Sequence, residues 1–343
     1  MNNSSKEEEY LPTIKGVKAS IKLTDHADTI FMKARPVPIA MKQEISDELD
    51  RLQKKGVISP IKFANMASPV VWVRKSNNGL RLCADFKATL NPRILNDSYP
   101  IPSIEQIFAG INGASCFSKI DLQSAYNQIE LDEPSKKLSV INTSKGLYTL
   151  NRLQMGMKNS SAIFQRTIEQ ILNGISNIII YQDDILLYEN TEERLKKLYN
   201  DVIKRLKEHN VTINSSKSIT MVNEISYLGY KINSNGIQPD DQLTQRVMAI
   251  NVPTCKSDVE QFMGLVNYFG RLIPKVAEIS SPLNDLRKRS SDFNWSEECN
   301  EAFNKLKSIL SSNPVVKPFD VNEKCILTTD ASKVSIGSVL IYQ

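Results

Sequence analysis

Histidines, paired cysteines and long apolar runs are scarce in this 343-residue chain, and each scarcity excludes a class of protein. With only His26 and His209, the chain is poorly suited to a histidine zinc site or a Ser-His-Asp triad. The five cysteines are scattered and form no C-x-x-C pair, so we expect reduced thiols in a cytosolic or nuclear protein. No signal peptide and no membrane-length apolar run is present, so we expect neither secretion nor a membrane partner.

The composition is that of an ordinary soluble globular protein. Hydrophobic residues make up 41% of the chain and charged residues 24%, and the length allows two or three domains with a substantial core. The formal net charge of +5 permits a polyanionic partner but does not require one.

Two adjacent carboxylates, Asp183 and Asp184, stand between two short apolar runs at residues 178–188. This pattern predicts a β-hairpin that carries both aspartates at its tip. Neighbouring carboxylates repel unless a cation lies between them, and hard oxygen ligands suit Mg²⁺. A solvated Asp-Asp turn is the alternative, because aspartate is common in turns.

A second hairpin is predicted for residues 69–74 and 80–86, which a Ser-Asn-Asn-Gly turn joins at 76–79. Three cations decorate it: Arg74, Lys75 and Arg81. They are interpreted either as edge-strand charges that oppose aggregation or as a mobile basic flap that clamps a triphosphate.

The remaining periodicity predicts an α+β protein in which helices and strands alternate. A strand at residues 116–121 ends in a third carboxylate, Asp121, and Asn190 is the expected N-cap of the helix that follows the Asp-Asp hairpin. Helices are predicted at 42–55, 103–109, 164–172, 195–206, 259–273 and 301–310. Further strands are predicted at 128–131, 138–142, 147–150, 324–329 and 335–342, and residues 1–10 are predicted to be disordered.

Assembled in order, several sequence blocks resemble the reverse transcriptases of gypsy-type LTR retrotransposons, the Metaviridae Pol polyproteins. The blocks include Ala-Ser-Pro-Val-Val at 67–71, Tyr-Pro-Ile-Pro at 99–102, Phe-Ser-Lys-Ile-Asp-Leu at 117–122, Phe-Gln at 164–165, Tyr-Gln-Asp-Asp at 181–184, Tyr-Leu-Gly at 227–229, Gly-Leu-Val-Asn-Tyr at 264–268 and Thr-Asp-Ala-Ser at 329–332. The resemblance implies a right-hand polymerase with fingers, palm and thumb, in which an antiparallel palm sheet packs on helices. The implied domains are a lead-in at 1–32, fingers and palm at 33–240 (fingers hairpin 69–86, palm 99–232), thumb and connection helices at 241–317, and a truncated RNase H-like α/β end at 318–343.

The same resemblance implies the chemistry. Asp121, Asp183 and Asp184 would hold two Mg²⁺ ions, with Mn²⁺ as the alternative, for template-directed transfer of dNTPs to a primer 3′-hydroxyl. The dNTP-binding residues implied are Lys75, Arg81, Ala125, Tyr126 and Met155, and the primer grip is Leu228 and Gly229. Tyr126 would be the steric gate against ribonucleotides or else an ordinary half-buried strand tyrosine, and Lys217 would be the general acid for pyrophosphate or else an exposed lysine.

Several positions depart from the family pattern. Gln154-Met155-Gly156 replaces the usual Pro-Phe-Gly, Ser161 replaces a proline, and Gln182 replaces an aliphatic residue. Ser335 stands where glycine is common in the RNase H hairpin. These changes remove no implied metal ligand, but they leave open a weakened or inactive remnant that only binds nucleic acid or serves as a structural subunit.

The resemblance also sets expectations for partners. A primed RNA or DNA template and dNTPs are implied, with a homodimer or a full-length Pol chain as the protein partner, in cytoplasmic virus-like particles or the nucleus. Asp330 matches the first RNase H aspartate, and because the later carboxylates of that site are missing we expect no ribonuclease activity. The aspartic-protease triplet and the integrase zinc module are missing too, which favours a piece of a polyprotein or a truncated element copy.

Overall fold

The computed structural model describes residues 10–25, 27–75, 78–111, 113–288, 292–312, 314–316, 324–331 and 336–342. The helices are α1 (Lys42–Lys54), α2 (Ile104–Gly110), α3 (Glu133–Leu138), α4 (Ser160–Ile171), α5 (Glu192–Glu208), α6 (Asp241–Met248), α7 (Lys256–Tyr268), α8 (Val276–Leu286) and α9 (Glu297–Ser311). The strands are β1 (Lys18–Ala19), β2 (Ile58–Ile61), β3 (Ser68–Arg74), β4 (Leu80–Ala84), β5 (Cys116–Asp121), β6 (Glu130–Leu131), β7 (Val140–Thr143), β8 (Gly146–Leu150), β9 (Ile178–Tyr181), β10 (Asp184–Glu189), β11 (Ile219–Val222), β12 (Glu224–Tyr227), β13 (Tyr230–Asn233), β14 (Gly236–Pro239), β15 (Cys325–Ala331) and β16 (Ile336–Tyr342).

The chain divides into two compact units, each built from more than one segment. The first comprises Met1–Pro102, Lys119–Leu187 and Lys196–Thr220, and the second comprises Ser103–Ser118, Tyr188–Leu195 and Met221–Gln343. The mixture of helices and mostly antiparallel sheets confirms the α+β class. The finer domain boundaries given above stay a prediction.

The first unit contains a five-stranded sheet in the order β2-β8-β7-β3-β4. Its β3–β4 hairpin is antiparallel, as predicted, and Arg81 lies opposite Val73. Residues 76 and 77 of the predicted turn lie outside the described residues, as do 1–9 of the predicted disordered start. Helix α1 is confirmed, and its buried face is Ile45, Leu49 and Leu52, the apolar face that the sequence pattern shows.

A four-stranded sheet in the order β11-β5-β10-β9 carries the three aspartates. Strand β5 is held by buried Phe117 and Ile120. Strands β9 and β10 form the predicted antiparallel hairpin, with Tyr181 opposite Asp184. Asp121 ends β5, Asp184 begins β10, and Asp183 lies in the turn before it; all three belong to the first unit.

The predicted N-cap of α5 was wrong by one residue. The backbone N–H of Arg194 donates to the Thr191 hydroxyl at 3.4 Å, and the Leu195 N–H donates to the Thr191 carbonyl. The Asn190 carbonyl instead accepts a hydrogen bond from the Ser115 hydroxyl at 2.8 Å. Threonine is a competent N-cap, so one cap replaces another in the same loop.

The second unit combines the antiparallel sheet β12-β13-β14 with helices α6 to α9 and the β15–β16 hairpin. Helix α7 ends at Tyr268, five residues before the predicted end, and Ile273 is buried beyond it. Helices α6 and α8 were not predicted; α8 carries Pro282 in its interior, where proline removes a backbone donor. Across the described part of the chain, every helix is too short or too polar to span a bilayer.

Candidate active site

Asp121 is fixed by the turn at residues 214–218. The Asp121 backbone N–H donates to the Ser218 hydroxyl at 3.1 Å, and the Asp121 carbonyl accepts from the Asn214 N–H at 2.8 Å. The Ser218 hydroxyl donates in turn to the Asn214 carbonyl at 2.9 Å. Both backbone polar groups of Asp121, its N–H and its carbonyl, are therefore hydrogen-bonded at the end of β5.

The Asp-Asp turn lies directly beside that strand end. The Leu122 N–H donates to the Asp183 carbonyl at 3.1 Å. This hydrogen bond joins the residue after Asp121 to the residue before Asp184. Gln182 occupies this turn with φ +55°, a left-handed conformation that is uncommon for a residue other than glycine, asparagine or aspartate. The backbone thus brings together the three aspartates that the sequence singled out.

The electrostatics of the group match that proximity. Burial raises the pKa of Asp184, and the charges of Asp183 and Asp121 raise it further, while Lys119 and Lys217 act in the opposite direction. The three carboxylates repel one another, and a divalent cation bound between them would relieve that repulsion. Among the described residues, no three His, Cys, Asp or Glu side chains are arranged as a ready metal-binding group.

A cleft of about 540 Å³ opens at this point of the first unit. It brings Asp121 and Asp183 together with most of the residues to which the sequence assigned substrate contacts. These are Lys75, Arg81, Ala125, Tyr126, Met155 and Lys217. Arg74, the third cation of the basic hairpin, pairs instead with Glu44 at 3.1 Å.

Tyr126 is more constrained than a half-buried strand tyrosine. It lies in a short 3₁₀ helix, Ala125–Gln128, and is only 8% exposed. Its ring lies 5.3 Å from that of Phe164, and its hydroxyl is 3.3 Å from the Ser161 hydroxyl. Burial raises the pKa of this phenol, and the charge of Asp183 raises it further, so the hydroxyl stays neutral near the aspartates.

Two buried glutamines that support the site were not assigned a role from sequence. Gln128 donates to the carbonyls of Gln123 and Thr212 at 2.7 and 2.9 Å and accepts from the Thr212 N–H at 2.7 Å. Gln165 on α4 is also fully buried. Gln165 could have been recognised in the sequence as a polar residue between the apolar Phe164 and Ile168 of the same helix.

The other predicted site residues lie in the second unit. Leu228 and Gly229 form the two-residue turn between β12 and β13, with φ +52° and +75°. Asp330 lies in β15, opposite Gly337 of β16. Ser335 lies outside the described residues.

Comparison with known proteins identifies the domains. Residues 73–232 match the model of the family described as reverse transcriptase (RNA-dependent DNA polymerase). Residues 295–343 match the RNase H-like domain found in reverse transcriptase. These two parts of the chain are therefore similar to reverse transcriptases and to RNase H-like domains, respectively.

Curated relatives include transposon polyproteins of Schizosaccharomyces pombe (strain 972 / ATCC 24843). The Tf2-3 polyprotein is 33% identical over 335 residues, which cover 97% of this chain and 25% of the relative. The Tf2-7 polyprotein is 32% identical over the same lengths. The chain spans about a quarter of the length of these relatives.

Two solved structures of a foamy viral protease-reverse transcriptase share the fold at 20% identity. One, a dRH form in complex with double-stranded DNA, matches with a TM-score of 0.88 over 97% of this chain and 58% of that one. The other, in complex with an RNA/DNA hybrid, matches with 0.84 over 98% and 47%. The likeness confirms the predicted α+β polymerase fold.

Proposed function

We propose that this chain is an RNA-directed DNA polymerase of a gypsy-type retrotransposon, which adds deoxynucleotides to a primer 3′-hydroxyl on an RNA or DNA template. The observation that carries the proposal is one cleft. Within a domain that matches reverse transcriptases, it combines Asp121 and Asp183 with the cations Lys75 and Arg81 and the aromatic Tyr126. The anionic, cationic and aromatic groups that line this cleft suit metal, triphosphate and sugar respectively.

Reverse transcriptases use divalent metal ions, and the residues here fit two Mg²⁺. Asp121, Asp183 and Asp184 would hold them, since burial and mutual repulsion disfavour the ionised form of Asp184 without a cation. When bound, the ions lower the pKa of the primer hydroxyl and neutralise charge on the triphosphate and pyrophosphate.

The surrounding residues bind and orient the nucleotide. Lys75 and Arg81 donate charge-assisted hydrogen bonds to the triphosphate, and Arg81 can do so in a bidentate manner. Tyr126 closes the space under the sugar, because Phe164 and Ser161 hold its ring. Lys217, which faces the same cleft, donates a proton to the leaving pyrophosphate.

A primed duplex is the proposed macromolecular partner. The foamy viral structures that share this fold are described in complex with double-stranded DNA and with an RNA/DNA hybrid. The net charge of +5 suits a polyanion. The gypsy-type assignment is supported by the Tf2 polyproteins among the relatives.

Primer extension on an RNA template with dNTPs and Mg²⁺ tests the proposal. The expected result is templated DNA synthesis that Asp183→Asn or Asp121→Asn reduces by about a thousandfold or more. Asp201→Asn on the exposed face of α5 is the matched control and should retain full activity. Wild-type protein that binds the duplex and incorporates nothing would overturn the proposal.

A nucleic-acid-binding remnant without polymerase activity is the second candidate. It is favoured by the departure at Gln154-Met155-Gly156, which places Met155 instead of the usual phenylalanine in the lining of the cleft. Duplex binding that is equal in wild type and Asp183→Asn, together with no incorporation in either protein, would establish it.

A further inference from the structure

The turn formed by Leu228 and Gly229 has an unfavourable backbone. It joins Tyr227 and Tyr230, which face each other across the β12–β13 hairpin, so only two residues make the reversal. Both have positive φ, as a type I′ turn demands, and such turns favour asparagine, aspartate or glycine at the first position. Leucine is strained in this left-handed conformation, so other contacts of the second unit must hold the turn.

Tyr268, the last residue of α7, and Phe269, which follows it, supply those contacts. The hydroxyl of Tyr268 donates to the Leu228 carbonyl at 3.0 Å. The ring of Phe269 lies against Gly229, at 3.4 Å from the position that a Cβ would take. One aromatic residue thus bonds the first turn residue, and its neighbour packs on the second.

Tyr230 holds Tyr268 in place from the other side. Its hydroxyl donates to the Tyr268 carbonyl at 2.8 Å, and this carbonyl belongs to the last residue of α7. Tyr230 therefore donates to the Tyr268 carbonyl and Tyr268 to the Leu228 carbonyl, which closes a ring of contacts around the turn. Burial raises the pKa of Tyr230 to about 12, so this hydroxyl remains a donor at any physiological pH.

This tyrosine pair is itself supported by α2. The ring of Phe108 lies edge-on to that of Tyr230 at 4.9 Å. The Arg271 guanidinium lies 5.2 and 5.9 Å from the ring centres of Phe108 and Tyr230 and pairs with Glu105. Aromatic and cation–π contacts of this kind fix the orientation of the Tyr230 ring, and its hydroxyl in turn bonds the Tyr268 carbonyl.

We propose that Tyr268 is a positioning residue, which holds the 228–229 turn for the primer strand. The inference rests on the proposed polymerase function and on the family resemblance, which implies that Leu228 and Gly229 are the primer grip. A turn held by side chains of another element keeps its strained shape without help from the primer. Loss of the Tyr268 hydroxyl should therefore affect primer handling and leave dNTP binding unchanged.

The test compares wild type, Tyr268→Phe, Tyr230→Phe and the double variant in primer extension. Tyr268→Phe keeps the ring and deletes one hydrogen bond, and we expect the KM for primer-template to rise about three- to tenfold. The KM for dNTP should change less than twofold. Because the two hydroxyls act on one ring of contacts, the double variant should be little worse than Tyr268→Phe alone. Tyr199→Phe on α5 is the matched control and should behave as wild type.

The outcomes separate the inference from the proposed function. If wild type fails to incorporate dNTPs, the proposed function fails; the inference is then tested by hydrogen exchange, in which Tyr268→Phe should expose the amides of residues 228–230 several-fold faster. If wild type is active and Tyr268→Phe leaves primer KM unchanged, or raises dNTP KM equally, the inference is overturned. Should Tyr268→Phe not fold, Tyr230→Phe must show the same selective rise in primer KM for the inference to stand.

Discussion

The side-chain carbonyl of Gln165 accepts a hydrogen bond of 2.9 Å from the backbone N–H of Gln182, the left-handed residue in the Asp-Asp turn. The amide of Gln165 donates to the Ile180 carbonyl at 2.6 Å and to the Glu169 carboxylate at 2.7 Å. Glu169 also accepts a hydrogen bond from the Tyr99 hydroxyl. A buried glutamine on α4 therefore sets the conformation of the turn that presents Asp183 and Asp184.

Replacing Gln165 by glutamate should slow catalysis through the turn. The carboxylate loses both donors and meets the Ile180 carbonyl and the charge of Glu169, so the aspartates shift. We expect kcat to fall about 10- to 100-fold with little change in the KM for dNTP, as measured by steady-state primer extension. Gln170→Glu, on the exposed face of the same helix, is the control and should lose less than twofold. Adding Glu169→Gln should restore part of the loss, because an amide again faces the carboxylate; no recovery would contradict this account.

Asp184→Asn should stabilise the metal-free protein while it removes activity. The folded-state pKa of Asp184 is raised, so its ionised form destabilises the fold above that pKa, and the penalty vanishes below the ordinary aspartate value. We expect Tm to rise by about 2 °C at pH 7 without divalent ions, and the gain to disappear as the pH falls below about 4. Calorimetry at both pH values measures this. Because Mg²⁺ should stabilise wild type more than the variant, a Tm gain that persists at saturating Mg²⁺ would argue against a metal site.

The two cations that line the cleft should matter more than the third cation of their hairpin. Lys75→Ala or Arg81→Ala should raise the KM for dNTP about tenfold or more, since each removes a charge-assisted hydrogen bond to the triphosphate. Arg74→Ala should change it less than twofold, because Arg74 pairs with Glu44 on the exposed surface. Equal effects at all three positions would indicate general electrostatic attraction rather than specific contacts.

Tyr126 should control sugar selection. Tyr126→Val leaves space beneath the sugar, and we expect ribonucleotide incorporation relative to deoxynucleotide to increase about tenfold or more. Tyr126→Phe keeps the ring against Phe164 and loses only the contact with Ser161, so its selectivity should stay near wild type. Single-nucleotide insertion assays with matched dNTP and rNTP measure the ratio. An unchanged ratio in Tyr126→Val would show that Tyr126 does not exclude ribonucleotides.

Local patterns sufficed for the elements whose structure depends on neighbouring residues. The β3–β4 and β9–β10 hairpins and the buried face of α1 follow from alternation, turn residues and helical spacing, and the structure confirms all three. Helix α8 was not predicted from the sequence; it contains Pro282, and proline usually ends a helix. The cap of α5 was misplaced because Asn190 and Thr191 are both good N-caps, and only the backbone geometry selects one.

By itself, the sequence determined which candidate site groups are present in this protein. They are three aspartates in two blocks, a basic hairpin, an aromatic residue five positions after Asp121, and a Leu-Gly turn. Only the tertiary structure decided which of them share a cleft and which polar side chains hold them. Three side chains form hydrogen bonds to backbone groups that are distant along the chain: Gln128 at a separation of 84 residues, Gln165 at 17 and Tyr268 at 40. Hydrogen bonds across such separations leave no periodic trace in the sequence, because they depend on how the elements pack and not on the residues adjacent to them.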